Sequence, residues 1–141
     1  MFRFHKSLDI VTLFHKANSP ASTRVATLLK QVSANASETA TEDQASDHSS
    51  QSSIERQEFE LNVTEEQPTA DQLKTILEYV GKAAIPTVVK GAHTENEALK
   101  KFRESNSNFQ RPVTVDWNNG KAYAGDNESE ILKMLNALPK T

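Results

Sequence analysis

The chain has 141 residues, of which 36% are hydrophobic and 25% charged, a composition typical of a globular domain. Its net charge of -3 gives no general attraction to nucleic acid or to an anionic membrane. No apolar run is long enough to span a bilayer. The absence of cysteine excludes disulfides, thiolate–metal sites and a thiol nucleophile within this chain. The histidines share no ligand spacing, so we expect no metal site and no cofactor.

We predict a single domain over residues 9–141, preceded by a short basic segment at residues 1–8. That segment, MFRFHKSL, is either the start of a mitochondrial targeting sequence or a frayed basic end ahead of the first strand. An insertion at residues 33–56 interrupts the domain and is rich in Ser, Thr, Ala and acidic residues. It carries too little apolar surface to offset its ordering entropy, so we predict that it is disordered, either from residue 33 or after a frayed extension of the first helix. It is either a phosphorylated acidic tether or a tolerated surface insertion.

The first ordered part is predicted to be strand, loop and helix. Residues Asp9 to Phe14 form a compact β-rich run, which suits a strand buried on both faces. Ser19 directly before Pro20 is the pattern of a helix N-cap followed by proline at the first helical position. Apolar residues then recur at helical spacing as far as Val32. This order is the first half of a βαβ unit.

The middle of the chain predicts one strand and two helices. Alternation in residues 57–63 favours a strand with one wet face, near a sheet edge. A helix opening at Pro68-Thr69 presents an apolar face and ends at Gly81. The stretch 82–93 is predicted to be irregular, with Ile85, Val88 and Val89 as buried anchors. Thr94 and Glu97 form a capping box for a helix over residues 95–105.

The C-terminal part is predicted to be a ββα unit. Val113, Val115 and Trp117 alternate with polar residues, as in a strand. Asn119-Gly120 predicts a two-residue type I′ turn, after which residues 121–124 return antiparallel. A second capping box, at Asn127 and Glu130, opens the last helix. The apolar face of that helix is Ile131, Met134, Leu135 and Leu138.

These elements together predict an α/β fold. A helix joins the first two strands, which should therefore be parallel with a right-handed crossover, and the last two strands form an antiparallel hairpin. A four-stranded mixed sheet flanked by helices on both faces satisfies this order. That architecture is thioredoxin-like.

Three segments resemble the arsenate reductase and Spx branch of thioredoxin-fold proteins. They are HKANSPASTRVATLL at residues 15–29, PTADQLKTILEYVG at 68–81, and RPVTVDWNNGKAYAGDNESEILKML at 111–135. With its strand ending in VDW and its acidic Ser-rich insertion, the whole chain is more similar to a fungal family of mitochondrial redox proteins with a thioredoxin-like fold. The resemblance implies a thioredoxin-like oxidoreductase located in mitochondria.

The resemblance also assigns candidate site residues. Pro112 falls where thioredoxin folds carry a cis-proline beside the active site, and Arg111 where arsenate reductases carry an oxyanion-binding arginine. Ser19 falls at the position of the nucleophilic cysteine, and Ser22 three residues later. Arg24 is one residue displaced from the arginine that follows in arsenate reductases.

The chain departs from this pattern at the reacting atom. A helix N-terminus lowers the pKa of a cysteine, but a serine hydroxyl needs a general base, and the sequence shows none reliably placed. Thiol–disulfide exchange also requires sulfur. Two interpretations follow: a mitochondrial redox protein acting on small molecules, or a non-catalytic binding or scaffold domain. We predict that no residue is catalytic through a thiol.

The residues at the first helix start could form a site for a small oxyanion or carboxylate. This candidate anion site comprises Ser19, Ser22, Arg24, Arg111 and Pro112. The alternative is that Ser19 only caps the helix and the arginines are solvated.

Two other residues and one basic cluster each have a structural alternative to a functional role. His15 either assists a ligand or acts as a base, or is a partly exposed residue at a strand end, which we expect. Asp116 is either a buried charge with a functional role, or a residue that lies on the wet face or caps the turn. The basic cluster Lys100, Lys101 and Arg103 reads as a solvated helix face, because no aromatic residues interleave it. We therefore expect no nucleic-acid partner.

Overall fold

The computed structural model describes residues 9–41 and 58–136. The elements in chain order are β1 (Asp9–Phe14), α1 (Pro20–Thr41), β2 (Phe59–Thr64), α2 (Ala70–Val80), α3 (Ile85–Val88), α4 (Glu95–Glu104), β3 (Val113–Asp116), β4 (Lys121–Ala124) and α5 (Glu128–Asn136). The predictions for the segment 1–8 and for Leu138 lie outside the described residues. No helix among those described is both long and apolar enough to cross a bilayer.

The four strands form one mixed sheet in the order β2-β1-β3-β4. β1 pairs with β2 in parallel, while β3 pairs with both β1 and β4 in antiparallel fashion. This confirms the predicted four-stranded mixed sheet and the predicted edge position of the second strand. Phe14, near the end of β1, is opposite Thr64 of β2 and Val113 of β3. The carboxyl ends of β1 and β2 therefore meet the start of β3 at one edge of the sheet.

Helices cover both faces of the sheet, as predicted. On one face, Val11 and Leu13 of β1 pack in a buried cluster with residues of α1 and α5. On the other face, Phe14 and the valines of β3 pack with residues from α2 to α4. Most of the predicted inward residues of the later helices are buried: Leu73, Ile76, Leu77, Ala98, Phe102, Ile131 and Leu135. The others among those described, Val80, Leu99 and Met134, are partly buried and pack against the same clusters. Within β1, only residues 11–14 are buried on both faces, because Ile10 is exposed.

The helix caps follow the sequence with one difference. Thr94 accepts a hydrogen bond from the backbone N–H of Glu97, as predicted, but the Glu97 carboxylate accepts from His93 N–H. Asn127 Oδ1 accepts from Glu130 N–H at 3.1 Å and opens α5. Each cap satisfies backbone donors that the first helical turn leaves without partners.

The predicted start of the disordered insertion at residue 33 is wrong, because α1 continues to Thr41. Val32 and Ala36 are both buried, and they lie one helical turn apart. Packing of this face therefore extends the helix into a stretch that composition alone marks as disordered. The rest of the predicted insertion, residues 42–56, lies outside the described residues.

The predicted two-residue type I′ turn at Asn119-Gly120 is also wrong. β3 ends at Asp116, residues Trp117–Asn119 form a 3₁₀ turn, and Gly120 adopts a left-handed conformation with φ of 66°. Asp116 pairs with Lys121, so the loop spans four residues. The side chains of the turn are held against β1: Trp117 Nε1 donates to Thr12 Oγ1 at 2.8 Å, and Asn118 Oδ1 accepts from Ile10 N–H at 2.9 Å.

The same turn decides the environment of Asp116, which is buried and not on a wet face. Asn119 Nδ2 lies 3.1 and 3.0 Å from the two carboxylate oxygens of Asp116 and 3.3 Å from Asp9 Oδ2. A buried carboxylate needs such donors to offset its desolvation. Asp116 thus anchors the loop that leads from β3 to β4.

Candidate functional site

The candidate site lies where the ends of β1 and β2 meet the residues before β3. His15 N–H donates to Thr64 O at 2.8 Å, which extends the parallel ladder beyond β1. Arg111 Nη1 donates to His15 O at 3.2 Å and to Glu65 O at 3.0 Å. The following Arg111-Pro112 peptide bond is cis, as the resemblance implied. The loop after β1 and the residues before β3 therefore meet in space.

Arg111 links the ends of β1 and β2 through hydrogen bonds to the backbone that follows each strand. Its Nη1 donates to the backbone carbonyls of His15 and Glu65, which follow β1 and β2, and so helps to satisfy backbone acceptors beyond the strand ends. Its Nε is buried and has no hydrogen-bond partner. The guanidinium is therefore only partly satisfied by the protein.

Ser19 is the N-cap of α1, as predicted. Its Oγ accepts from Ser22 N–H at 3.2 Å, and its carbonyl accepts from Thr23 N–H at 2.9 Å. Pro20 has no N–H to donate. Within the part of the chain that the structure describes, Ala21 N–H is the first-turn donor left without a protein acceptor.

Ser22 is fully buried and its hydroxyl closes the β1–α1 loop. Its Oγ lies 2.6 Å from His15 Nδ1 and accepts from Lys16 N–H at 2.9 Å. A hydroxyl donates one hydrogen bond and accepts two, so either Oγ or Nδ1 can be the donor in this contact, depending on the imidazole tautomer. Burial keeps the hydroxyl away from a substrate.

His15 is a partly exposed residue directly after β1, as expected, but its contact with the Ser22 hydroxyl could not be predicted from the sequence. The structure places His15 beside Ser22 and not beside Ser19. The signal in the sequence is weak, since a histidine seven residues before a serine has no fixed geometry across a loop. The imidazole orientation depends on the β1–β2 ladder that holds the His15 backbone.

Arg24 is directed to a different neighbour. Its guanidinium forms an ion pair with the carboxylate of Asp126, with side-chain exposures of 56% and 40%. It makes no hydrogen bond with Ser19, Ser22 or Arg111 among the described contacts. It lines instead a surface groove with Leu28 and Glu128, between α1 and α5.

The structure thus connects four of the five predicted site residues. Ser19 is hydrogen-bonded to Ser22, and the Ser22 hydroxyl is hydrogen-bonded to the imidazole of His15. The His15 carbonyl accepts a hydrogen bond from Arg111, which precedes Pro112. Arg24 is the member that is engaged elsewhere. Across residues 9–41 and 58–136, no three His, Asp or Glu side chains gather closely enough to hold a metal ion. The connected groups are hydrogen-bonding groups without sulfur.

Two comparisons with known proteins bear on this arrangement. A family model described as "Protein of unknown function (DUF1687)" matches residues 2–126. A protein of Schizosaccharomyces pombe, named "Putative redox protein fmp46, mitochondrial", is 41% identical over 63 residues, which cover 45% of this chain and 52% of that protein. The chain matches about half the length of this curated relative.

Proposed function

We propose that this chain, which belongs to the DUF1687 family, is a non-catalytic binding domain related to mitochondrial redox proteins. The name of the Schizosaccharomyces pombe relative supports the redox lineage. The β2-β1-β3-β4 order, with parallel β1 and β2 and an antiparallel β3–β4 pair, supports a thioredoxin-like fold. The family model covers most of the chain, whereas the named relative is matched over only part of it.

One observation carries the non-catalytic assignment. Two serines stand at the start of α1, and the resemblance matches Ser19 with a nucleophilic cysteine. Both are committed to structural hydrogen bonds: Ser19 caps the helix, and Ser22 is buried against His15 and Lys16. Thiol–disulfide exchange proceeds through a thiolate and a mixed disulfide. Neither step is open to a chain without cysteine. What remains is a hydrogen-bonded scaffold around Arg111.

The test is an activity assay on the pure protein with insulin and with glutathione disulfide. We expect no reduction of either substrate above the rate without protein. Clear turnover that scales with protein concentration would overturn the assignment and favour the other interpretation, a redox enzyme acting on small molecules. A thioredoxin added in place of the protein serves as the positive control.

A small oxyanion is the ligand class that we propose for the scaffold. The supporting observation is the buried Nε of Arg111, which has no acceptor, together with the uncommitted N–H of Ala21. Backbone N–H groups at a helix N-terminus and an arginine fork both suit an anion. Phosphate and sulfate are therefore the probes.

The oxyanion proposal is tested by NMR titration with phosphate. We expect shifts at Ala21 and Arg111, with a dissociation constant on the order of millimolar. Substitution Arg111→Lys removes the planar fork and should weaken binding, whereas Arg24→Gln is the control because that arginine is paired with Asp126. Unshifted amides over residues 19–24 would rule out phosphate at this helix start.

Mitochondrial location is proposed on the name of the relative alone. The experiment is fractionation of cells that express the full-length protein with a C-terminal tag. Recovery with a mitochondrial marker is the expected result, and recovery with cytosolic markers after intact organelles have been separated would contradict it.

A further inference from the structure

A second groove, of about 300 Å³, lies at the C-terminal end of α2. It is at the opposite end of this helix from the β2–α2 loop, and it shares no residue with the Arg111 site. Its walls come from the end of α2, from the turn that follows, and from the start of α4. Lining residues include Leu77, Glu78, Gly81, Lys82, Ile85 and Glu95.

The floor of the groove is apolar. Leu77 and Ile85 contribute side chains that belong to the buried core on this face of the sheet. Gly81 adds backbone without a side chain, and a Cβ built there would meet nothing within 4 Å. A flexible methylene chain lying in the groove would therefore cover apolar surface without steric obstruction.

The rim of the groove is polar and carries two carboxylates. Neither Glu78 nor Glu95 forms an ion pair with another described residue, and Oε2 of Glu95 is buried without a hydrogen-bond partner. Glu95 is also the first residue of α4, a position that favours negative charge. The carboxylate of Glu95 thus lies where the protein satisfies only part of its hydrogen-bonding capacity.

Lys82 lines the same groove, but its ammonium does not pair with either of these carboxylates. It is exposed, and its ammonium makes no ion pair with Glu78 or Glu95 within the described contacts. An uncompensated carboxylate beside a low-dielectric floor attracts a cation more strongly than an open surface carboxylate does. The groove therefore favours a ligand with an apolar stem and a cationic head.

We propose that this groove receives an arginine side chain of a partner protein. The methylene stem lies on Leu77 and Ile85, and the guanidinium approaches Glu78 and Glu95. Arginine fits because its planar head carries several donors, is weakly hydrated and serves two carboxylates at once. A bare metal ion would find only these two carboxylates and would leave the apolar floor uncovered.

The test is an NMR titration of the full chain at low ionic strength with acetyl-Ala-Arg-Ala-amide. The matched control peptide carries citrulline, which keeps the shape of arginine and removes its charge. We expect shifts at Gly81, Lys82 and Glu95 with the arginine peptide alone. Glu95→Gln should weaken binding by about fivefold, the upper end of the range for an exposed ion pair. Lys82→Met should strengthen it, because a competing cation is removed.

Several outcomes would overturn the proposal. One is equal shifts with the citrulline peptide, and another is unchanged affinity in Glu95→Gln. If that variant does not fold, judged by its circular dichroism, Glu78→Gln replaces it. An absence of shifts in Lys82→Met as well as in the unsubstituted chain also contradicts the proposal. Tighter binding of spermidine than of the peptide would assign the groove to free polyamines, and it would refute a protein partner.

Discussion

The imidazole Nδ1 of His15 lies 2.6 Å from the hydroxyl oxygen of Ser22, and this contact closes the loop between β1 and α1. Lys16 N–H donates to the same oxygen from the loop itself. Because Ser22 is fully buried, the hydroxyl serves the loop and not a ligand. The resemblance associates this position with redox chemistry, but here its hydroxyl holds the β1–α1 loop through hydrogen bonds to His15 and Lys16.

Replacing Ser22 by alanine should destabilise the protein. The change leaves Lys16 N–H and His15 Nδ1 without their partner, and the loss of a buried hydrogen-bond partner costs about 1–3 kcal/mol. Urea denaturation measures the free energy of unfolding. Thr23→Ala is the control, since Thr23 is exposed on the same turn. Equal stability of the two variants would show that the hydrogen bonds of Ser22 contribute nothing to the free energy of unfolding.

Two threonines of the sheet should respond to valine in opposite directions. Thr114 is fully buried and its hydroxyl oxygen has no partner, so Thr114→Val should stabilise the fold by about 1 kcal/mol. Thr12 accepts from Trp117 Nε1, so Thr12→Val should destabilise it by about 1–3 kcal/mol. Thermal melting of both variants is the measurement. Changes of the same sign would contradict this assignment of hydrogen-bond partners.

The Arg24–Asp126 ion pair should contribute little to stability. Both side chains are well exposed, at 56% and 40%, and exposed pairs contribute about 0.2–1 kcal/mol. A double-mutant cycle with Arg24→Gln and Asp126→Asn isolates the coupling free energy. We expect the coupling to shrink further in 0.5 M salt because screening weakens exposed charges. A coupling well above 1 kcal/mol would identify the pair as a structural lock between α1 and the start of α5.

Introducing a cysteine should show which of the two serines is accessible to a thiol reagent. Ser19→Cys places a thiol at the N-terminus of α1, where the helix favours the thiolate. We expect this variant to form a mixed disulfide with glutathione disulfide, detected by a mass increase. Ser22→Cys is the matched control, because its buried position excludes the reagent. Faster reaction at residue 22 than at residue 19 would reverse our view of which serine faces the site.

Elements stabilised by near neighbours in the chain could be predicted from the sequence. The Ser19 and Thr94 caps, the end of α2 at Gly81, and the apolar helix faces depend on contacts within about one helical turn. The turn after β3 could not be predicted in this way. Trp117 and Asn118 bind Thr12 and Ile10, which are more than one hundred positions away, and these bonds override the local preference of Asn-Gly.

The sequence by itself determined the order of the strands and of the longer helices, the edge position of β2 and the absence of thiols in this chain. It did not predict the short helix α3, which lies in the stretch 82–93 that was expected to be irregular. Tertiary structure decided the partners: Arg24 meets Asp126, Arg111 meets the carbonyl of His15, and Ser22 meets the imidazole of His15. The physical reason is distance along the chain. A cap or an apolar face is specified within a few residues, whereas the acceptor of an arginine is known only when the folded sheet has brought remote backbone together.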